Sequence, residues 1–235
     1  MIILTNDDGI DAPGIAALES VLPPDQVVVV APSGPMSECS HCVTTAKPIA
    51  VERLGERRFS VAGTPADCVR VALLHILPLL KIPTTEPIHV YSGINAGGNL
   101  GADIYISGTV AAAREAAFHS LPGIAFSQYR RAIPDAPRWS AAASWVAPVL
   151  ARSAERPLAP GEFWNVNFPW LPDLASPTPE IVFCERSRRP LPVKYEVTEA
   201  GLKYTPGLYH TRQFEPGSDI DICFSGKIAV SRIAI

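Results

Sequence analysis

Two adjacent carboxylates, Asp7 and Asp8, follow an apolar, β-branched run and precede a glycine in Met1-Ile-Ile-Leu-Thr-Asn-Asp-Asp-Gly-Ile10. Like charges side by side repel and make poor core residues, so a cation between them is an economical account of their placement. Ser37 lies in the Pro/Ser-rich segment Pro32-Ser-Gly-Pro-Met-Ser-Glu-Cys-Ser-His41, and Asn95 and Asn99 lie in Gly93-Ile-Asn-Ala-Gly-Gly-Asn-Leu-Gly101. Carboxylate, hydroxyl and amide oxygens without histidine or cysteine suit a hard ion such as Mg²⁺ or Mn²⁺, which also keeps places for water and substrate phosphate. Ser107-Gly108-Thr109 opens an alanine-rich stretch, and free N–H groups at a helix start, with hydroxyls beside them, form a ready phosphate site. A cation with a phosphate cradle, and no lysine-containing Walker loop or nucleophilic cysteine or histidine motif, points to hydrolysis by an activated water.

The first run is a strand delivering Asp7 and Asp8 to its carboxyl end, where ligands bind in open α/β sheets. Pro13 and the apolar spacing at 15, 18, 21 and 22 predict a short amphipathic helix, and Gln26-Val-Val-Val-Val-Ala31 a buried parallel strand. Segments 47–53 and 58–62 flank a Leu-Gly-Glu-Arg turn and predict an antiparallel hairpin. Thr64, Pro65 and Asp67 have the parts of a helix start. That helix, from Cys68 to about Leu80, is expected to be well buried, with His75 a core or boundary residue. Pro87–Ser92 and Gly123–Ser127 read as further strands, and Trp139 to about Arg152 as another helix. From Pro148 onward prolines accumulate, and the expectation is that the regular βαβ pattern stops there. Segments 193–197 and 202–205 predict an extended ribbon, marginal alone in water and expected to pack against another subunit. Ile228–Ile235 is a final strand. The chain therefore divides, on this reading, into an α/β core over 1–155 and a Pro-rich, β-rich region over 156–235.

The 235 residues carry a formal net charge of −3, which lacks the basic footprint of a nucleic-acid binder. No signal-peptide pattern opens the sequence and no run of about 18 apolar residues suggests a membrane span, so the expectation is a soluble, cytoplasmic protein. The five cysteines, an odd number without secretory context, read as reduced thiols. Cys39-Ser-His-Cys42 has the spacing of a redox motif but no helix-opening pattern or second pair around it, and reads as small loop residues.

Thr5-Asn-Asp-Asp-Gly-Ile10, Gly63-Thr-Pro-Ala-Asp-Cys68, Ser92 to Gly101, and Ser107-Gly-Thr-Val110 with Ala113-Arg-Glu115 together resemble the signature segments of the stationary-phase survival protein SurE family. Asn165-Val-Asn167-Phe-Pro169 and Gly217-Ser-Asp-Ile220 resemble weaker landmarks of the same family. The resemblance implies a Rossmann-like, mostly parallel sheet and a C-terminal extension whose elements exchange between subunits of a homodimer or homotetramer. It also implies metal-dependent removal of phosphate from nucleoside monophosphates, in some members also from 3′-nucleotides and short polyphosphate, with one divalent cation per subunit. By position, Asp7, Asp8, Ser37 and Asn95 match the metal ligands, with Asp7 or Asp8 orienting the water. Asn99, Ser107, Gly108 and Thr109 match residues near the phosphate. The second loop departs from the pattern: Glu38 stands where glycine is usual, and no Lys or Arg lies between Pro32 and His41.

Three other readings compete. A non-catalytic nucleotide-binding regulator would keep the metal site without turnover. A covalent phosphatase would place its aspartates as Asp-x-Asp on one side of a strand, whereas adjacent residues point to opposite sides. A dinucleotide-dependent oxidoreductase would need Gly-x-Gly-x-x-Gly after the first strand, which is absent.

Overall fold

A computed structural model describes residues 1–36, 39–83, 87–131, 138–172, 178–205 and 209–235. In chain order it runs β1 (Ile2–Thr5), α1 (Pro13–Glu19), β2 (Val27–Pro32), β3 (Val51–Arg53), β4 (Arg58–Val61), α2 (Pro65–Val71), α3 (Leu77–Leu79), β5 (His89–Asn95), α4 (Gly108–Phe118), β6 (Gly123–Gln128), α5 (Trp139–Ala154), β7 (Glu162–Phe168), β8 (Ile181–Phe183), β9 (Tyr195–Thr198), β10 (Gly201–Tyr204), α6 (Asp219–Phe224) and β11 (Ile228–Ala234). Among the described residues nine strands form one sheet in the order β3-β4-β2-β1-β5-β6-β7-β11-β8. The six from β4 to β7 are parallel, which makes the protein a Rossmann-like α/β fold.

Alternation sends Ile2 and Leu4 to one face of β1 and Ile3 to the other. Both faces are covered, so the strand reads as a continuous apolar run. On one side α1 and α5 pack Ile15, Leu18, Trp145 and Val149 against Leu4, Val29 and Phe126. On the other, α2 and α4 pack Cys68, Val69, Ala112 and Ala116 against Ile3, Val28 and Val90. Each fully buried Ile, Leu or Val contributes roughly 1.5–3 kcal/mol.

The winding of the sheet places the crevice. From β1 the chain crosses to β2 on one side, and after β4 it returns to lay β5 along β1's other side, with Thr5 opposite Ser92. The loops leaving β1 and β5 therefore part company at the carboxyl ends, which is the switch point where open α/β sheets bind ligands.

Three expectations are corrected. The βαβ pattern does not stop at Pro148: α5 runs through it to Ala154, and β7 joins parallel to β6. Burial of Trp145, Val146 and Val149 offsets the cost of an interior proline, about 3 kcal/mol. Consequently β7, β8 and β11 extend the same sheet across the expected boundary at 155/156. The helix after Thr64 is not buried throughout either. It passes through a π turn at Ala72–Ile76, and Leu74 and Leu79 are 74% and 54% exposed because only the Cys68, Val69, Ala72 and Ile76 side meets the sheet. His75 is exposed, not a core or boundary residue.

The two hairpins form as expected. β3 pairs antiparallel with β4, although β4 also lies parallel beside β2, and β9 pairs antiparallel with β10. Every residue of β9 and β10 is exposed.

Candidate functional site

The acid turn is held by its own neighbour. Buried Asn6 donates from Nδ2 to Gly9 O (2.8 Å) and accepts the Gly9 N–H at Oδ1 (3.2 Å). Gly9 sits at φ +105°, a conformation that favours glycine, and so lets the chain reverse directly after two carboxylates.

Asp7 is 5% exposed and faces the start of α4. Its Oδ2 accepts the Thr109 N–H (3.0 Å) and its Oδ1 accepts the Thr109 hydroxyl. The positive end of a helix is a favourable place for a carboxylate. Burial pushes the Asp7 carboxyl above its ordinary pKa; the Thr109 hydroxyl opposes this and the Asp8 charge adds to it. Ser107 caps α4 by accepting the Val110 N–H at Oγ (3.1 Å). Gly108 is obligatory for closeness: a Cβ there would lie 2.9 Å from Asp7 Cβ and 3.0 Å from Cys39 Sγ. Burial, then the charge of Asp7, pushes the Cys39 thiol up to about 11, so it stays protonated at neutral pH.

Asp8 turns the other way and accepts the Ala96 N–H at Oδ2 (3.3 Å). Burial raises its pKa, against the opposing effects of that N–H and of Arg130. Asn95, the last residue of β5, donates from Nδ2 to Gly97 O (2.8 Å), which leaves its carbonyl oxygen available as a ligand.

Asn99 is anchored from β7. Its N–H donates to Asn167 Oδ1 (2.8 Å), and its C=O accepts from Asn165 Nδ2 (2.8 Å) and Asn167 Nδ2 (3.0 Å). Its own Nδ2 donates to Ser127 Oγ (2.7 Å). The far wall rests on a buried ion pair in which Arg212 Nη1 and Nη2 donate to the Asp103 carboxylate at 3.1 and 3.3 Å. Tyr209 stacks on the Arg212 guanidinium at 3.7 Å, and its hydroxyl lies 3.0 Å from Asp103 Oδ2 and 3.1 Å from Gly98 O.

Asp7, Asp8, Asn95, Asn99 and Ser107 thus line one crevice of about 390 Å³. Gly108 and Thr109 stand behind Asp7, and both Thr109 donors are given to that carboxylate. Ser37 lies outside the described residues. Sequence reasoning missed Tyr204, Tyr209 and Arg212 in the crevice wall and Arg130 beside Asp8. Asp103 and Arg212 are separated by 109 positions, and no spacing signal connects them.

Among the described residues no group of three or more His, Cys, Asp or Glu gathers as a metal centre. The crevice instead offers two carboxylates and an amide oxygen, the donor chemistry of a hard cation. Two neighbouring acids whose charged forms are disfavoured by burial fit such an ion, because it removes that penalty.

Residues 2–191 match the family model described as Survival protein SurE. A relative from Nostoc sp. is 48% identical over 234 residues, covering 100% of this chain and 99% of its own. The 5′-nucleotidase SurE of Caulobacter vibrioides is 34% identical over 241 residues, covering 100% and 90%. The crystal structure of the SurE protein from Aquifex aeolicus superposes with a TM-score of 0.81 at 28% identity, over 99% of this chain and 92% of that one.

Proposed function

This chain belongs to the survival protein SurE family, and on that premise we propose that it is a divalent-metal-dependent 5′-nucleotidase acting on nucleoside 5′-monophosphates. The observation that carries the reading is the convergence of Asp7 and Asp8 with Asn95 at the switch-point crevice between β1 and β5. Asp7, Asp8 and Asn95, with Ser37 as the fourth expected ligand, would hold one Mg²⁺ or Mn²⁺ per subunit. Bound there, the cation supplies Lewis-acid polarisation of a phosphoryl oxygen and activation of water. Thr109 aims Asp7 with both of its donors, and Asp8, which among the described residues accepts no side-chain hydrogen bond, orients the attacking water. Ser107 Oγ accepts from Val110 and keeps its own proton for a phosphate oxygen, while Asn99, braced by Asn165 and Asn167, shapes the opposite side. Activity toward 3′-nucleotides and short polyphosphate is part of the same reading, since the donors address phosphate and not sugar.

The exposed β9–β10 hairpin is proposed to pack on or exchange with a second copy in a homodimer or homotetramer. The proposed compartment is the cytoplasm; among the described residues no helix is long and apolar enough to cross a membrane.

The test is inorganic phosphate release from 5′- and 3′-nucleoside monophosphates with Mg²⁺, Mn²⁺ or chelator. Ion-dependent turnover that falls about 100- to 1,000-fold in Asp8→Asn, with an unchanged circular dichroism spectrum, is expected. Full turnover in chelator, or an Asp8→Asn variant as fast as the parent, overturns the assignment.

A further inference from the structure

A second cavity lies at the opposite end of the sheet. It encloses about 320 Å³ at the amino ends of β5, β6 and β7, under the last turn of α5, and shares no lining residue with the crevice. Ligands of α/β sheets ordinarily sit at carboxyl ends, so this is a separate feature and not a lobe of the first. Its size is that of a small-molecule pocket.

The lining is mostly apolar, with Leu150 and the rings of Tyr91 and Trp164 among its walls, and few polar groups. Ser153 is 6% exposed and among the described residues its hydroxyl has no hydrogen-bond partner. A buried hydroxyl without a partner is costly and calls for one. His89 adds a half-buried ring; burial, then the nearby chain amino group, holds it below its ordinary pKa, so it is neutral and offers one donor and one acceptor. Arg156 is the sole formally charged residue of the lining. Its guanidinium lies over the Phe183 ring at 4.1 Å, and among the described residues no carboxylate pairs with it.

Aromatic walls, an orphan hydroxyl in the interior and one uncompensated cation at the rim are the complement of a flat, apolar molecule with an anionic end. We propose that this cavity binds a small aromatic monoanion of one or two fused rings, with the rings between Tyr91 and Trp164, the carboxylate on Arg156 and a polar ring substituent on Ser153. Ring contacts supply most of the affinity, and the guanidinium discriminates a carboxylate from an uncharged analogue by planar, two-point hydrogen bonding. The proposal is independent of the phosphatase reading, because none of its residues belongs to the crevice.

Isothermal titration of the full chain with 6-hydroxy-2-naphthoate and its uncharged carboxamide tests it. One site per chain with a Kd below about 1 mM is expected for the carboxylate. Arg156→Gln, at an exposed position, should weaken the carboxylate at least about 10-fold and leave the carboxamide within about 2-fold. Ser153→Val, which replaces the orphan hydroxyl with a methyl group, should weaken both probes and narrow their advantage over unsubstituted 2-naphthoate. Phosphate release from nucleotides should be unchanged in both variants, and adenosine monophosphate should not displace the probe. No saturable heat up to about 5 mM, equal binding of carboxylate and carboxamide, an unaffected Arg156→Gln, or displacement by the nucleotide would each overturn the proposal.

Discussion

At the scale of single residues, the site turns on how Asp7 is held. Its carboxylate takes both donors of Thr109, a residue that the family resemblance places near phosphate. Thr109→Val removes the hydroxyl and keeps the N–H. The expected result is a loss of about 10- to 100-fold in kcat/KM, with the metal concentration for half-maximal rate rising more than the nucleotide KM, and with Thr109→Ser close to the parent. Phosphate release titrated against Mn²⁺ measures this split; an unchanged metal dependence would mean that Thr109 does not position Asp7. The place of the two acids in the crevice was legible from sequence because they end an apolar run that reads as a strand, and ligand crevices open at the carboxyl ends of such strands. The partner of Asp7 was not, since it lies 102 positions away.

At the scale of elements, α4 does the positioning. Ala111, Ala112, Ala113, Ala116 and Ala117 are all buried, and small side chains let the helix lie tight on the sheet. A Cβ on Gly123 would come within 2.6 Å of Ala113 O. Glu115, also on α4, pins the loop after β2: its Oε2 is 2.8 Å from His41 Nε2 and its Oε1 accepts from Arg70 Nε of α2 at 2.6 Å. Burial alone would raise the Glu115 pKa, but the hydrogen bonds from His41 and Arg70, with their charges, outweigh it and hold the carboxyl at about 2. A depressed carboxylate stabilises the fold fully above its unfolded pKa, near 4.5, and the contribution is lost as pH falls through about 2. The size is on the order of 3 kcal/mol. Glu115→Gln should therefore melt several degrees lower at pH 7, and its deficit should shrink between pH 4.5 and 2. Calorimetric Tm values across that range decide it; a deficit that stays constant with pH would show that the ion pairs contribute nothing.

At the scale of the whole molecule, the β9–β10 ribbon is, among the described residues, a sheet separate from the nine-stranded one. The ribbon pairs with no strand of that sheet and meets the crevice wall through Tyr204, while Val197 and Leu202 are 86% and 69% exposed, and a two-stranded ribbon is marginal in water by itself. If the proposed exchange between copies holds, Val197→Asp with Leu202→Asp should give a 25.2 kDa monomer in light scattering coupled to size exclusion where the parent gives a larger species. A parent protein that is already monomeric would remove this role from the hairpin.

Local structure, and the chemistry available to it, could be read from the order of the residues. The apolar run into Asp7 and Asp8, the capping box in which Thr64 and Asp67 exchange hydrogen bonds, and the period-two ribbon at 193–205 each follow from contacts within a few residues. Folding in three dimensions supplied what those contacts cannot encode. Which strand lies beside β1 sets the switch point, and only then do Asn165 and Asn167 of β7 reach the Asn99 loop and Arg212 reach Asp103. The same packing carries α5 past Pro148, because an interior proline is a local cost of a few kcal/mol and the burial of Trp145 and Val149 against a distant strand offsets it. Period and capping act over one turn of chain, whereas a strand's neighbours are chosen by the packing of every apolar face at once.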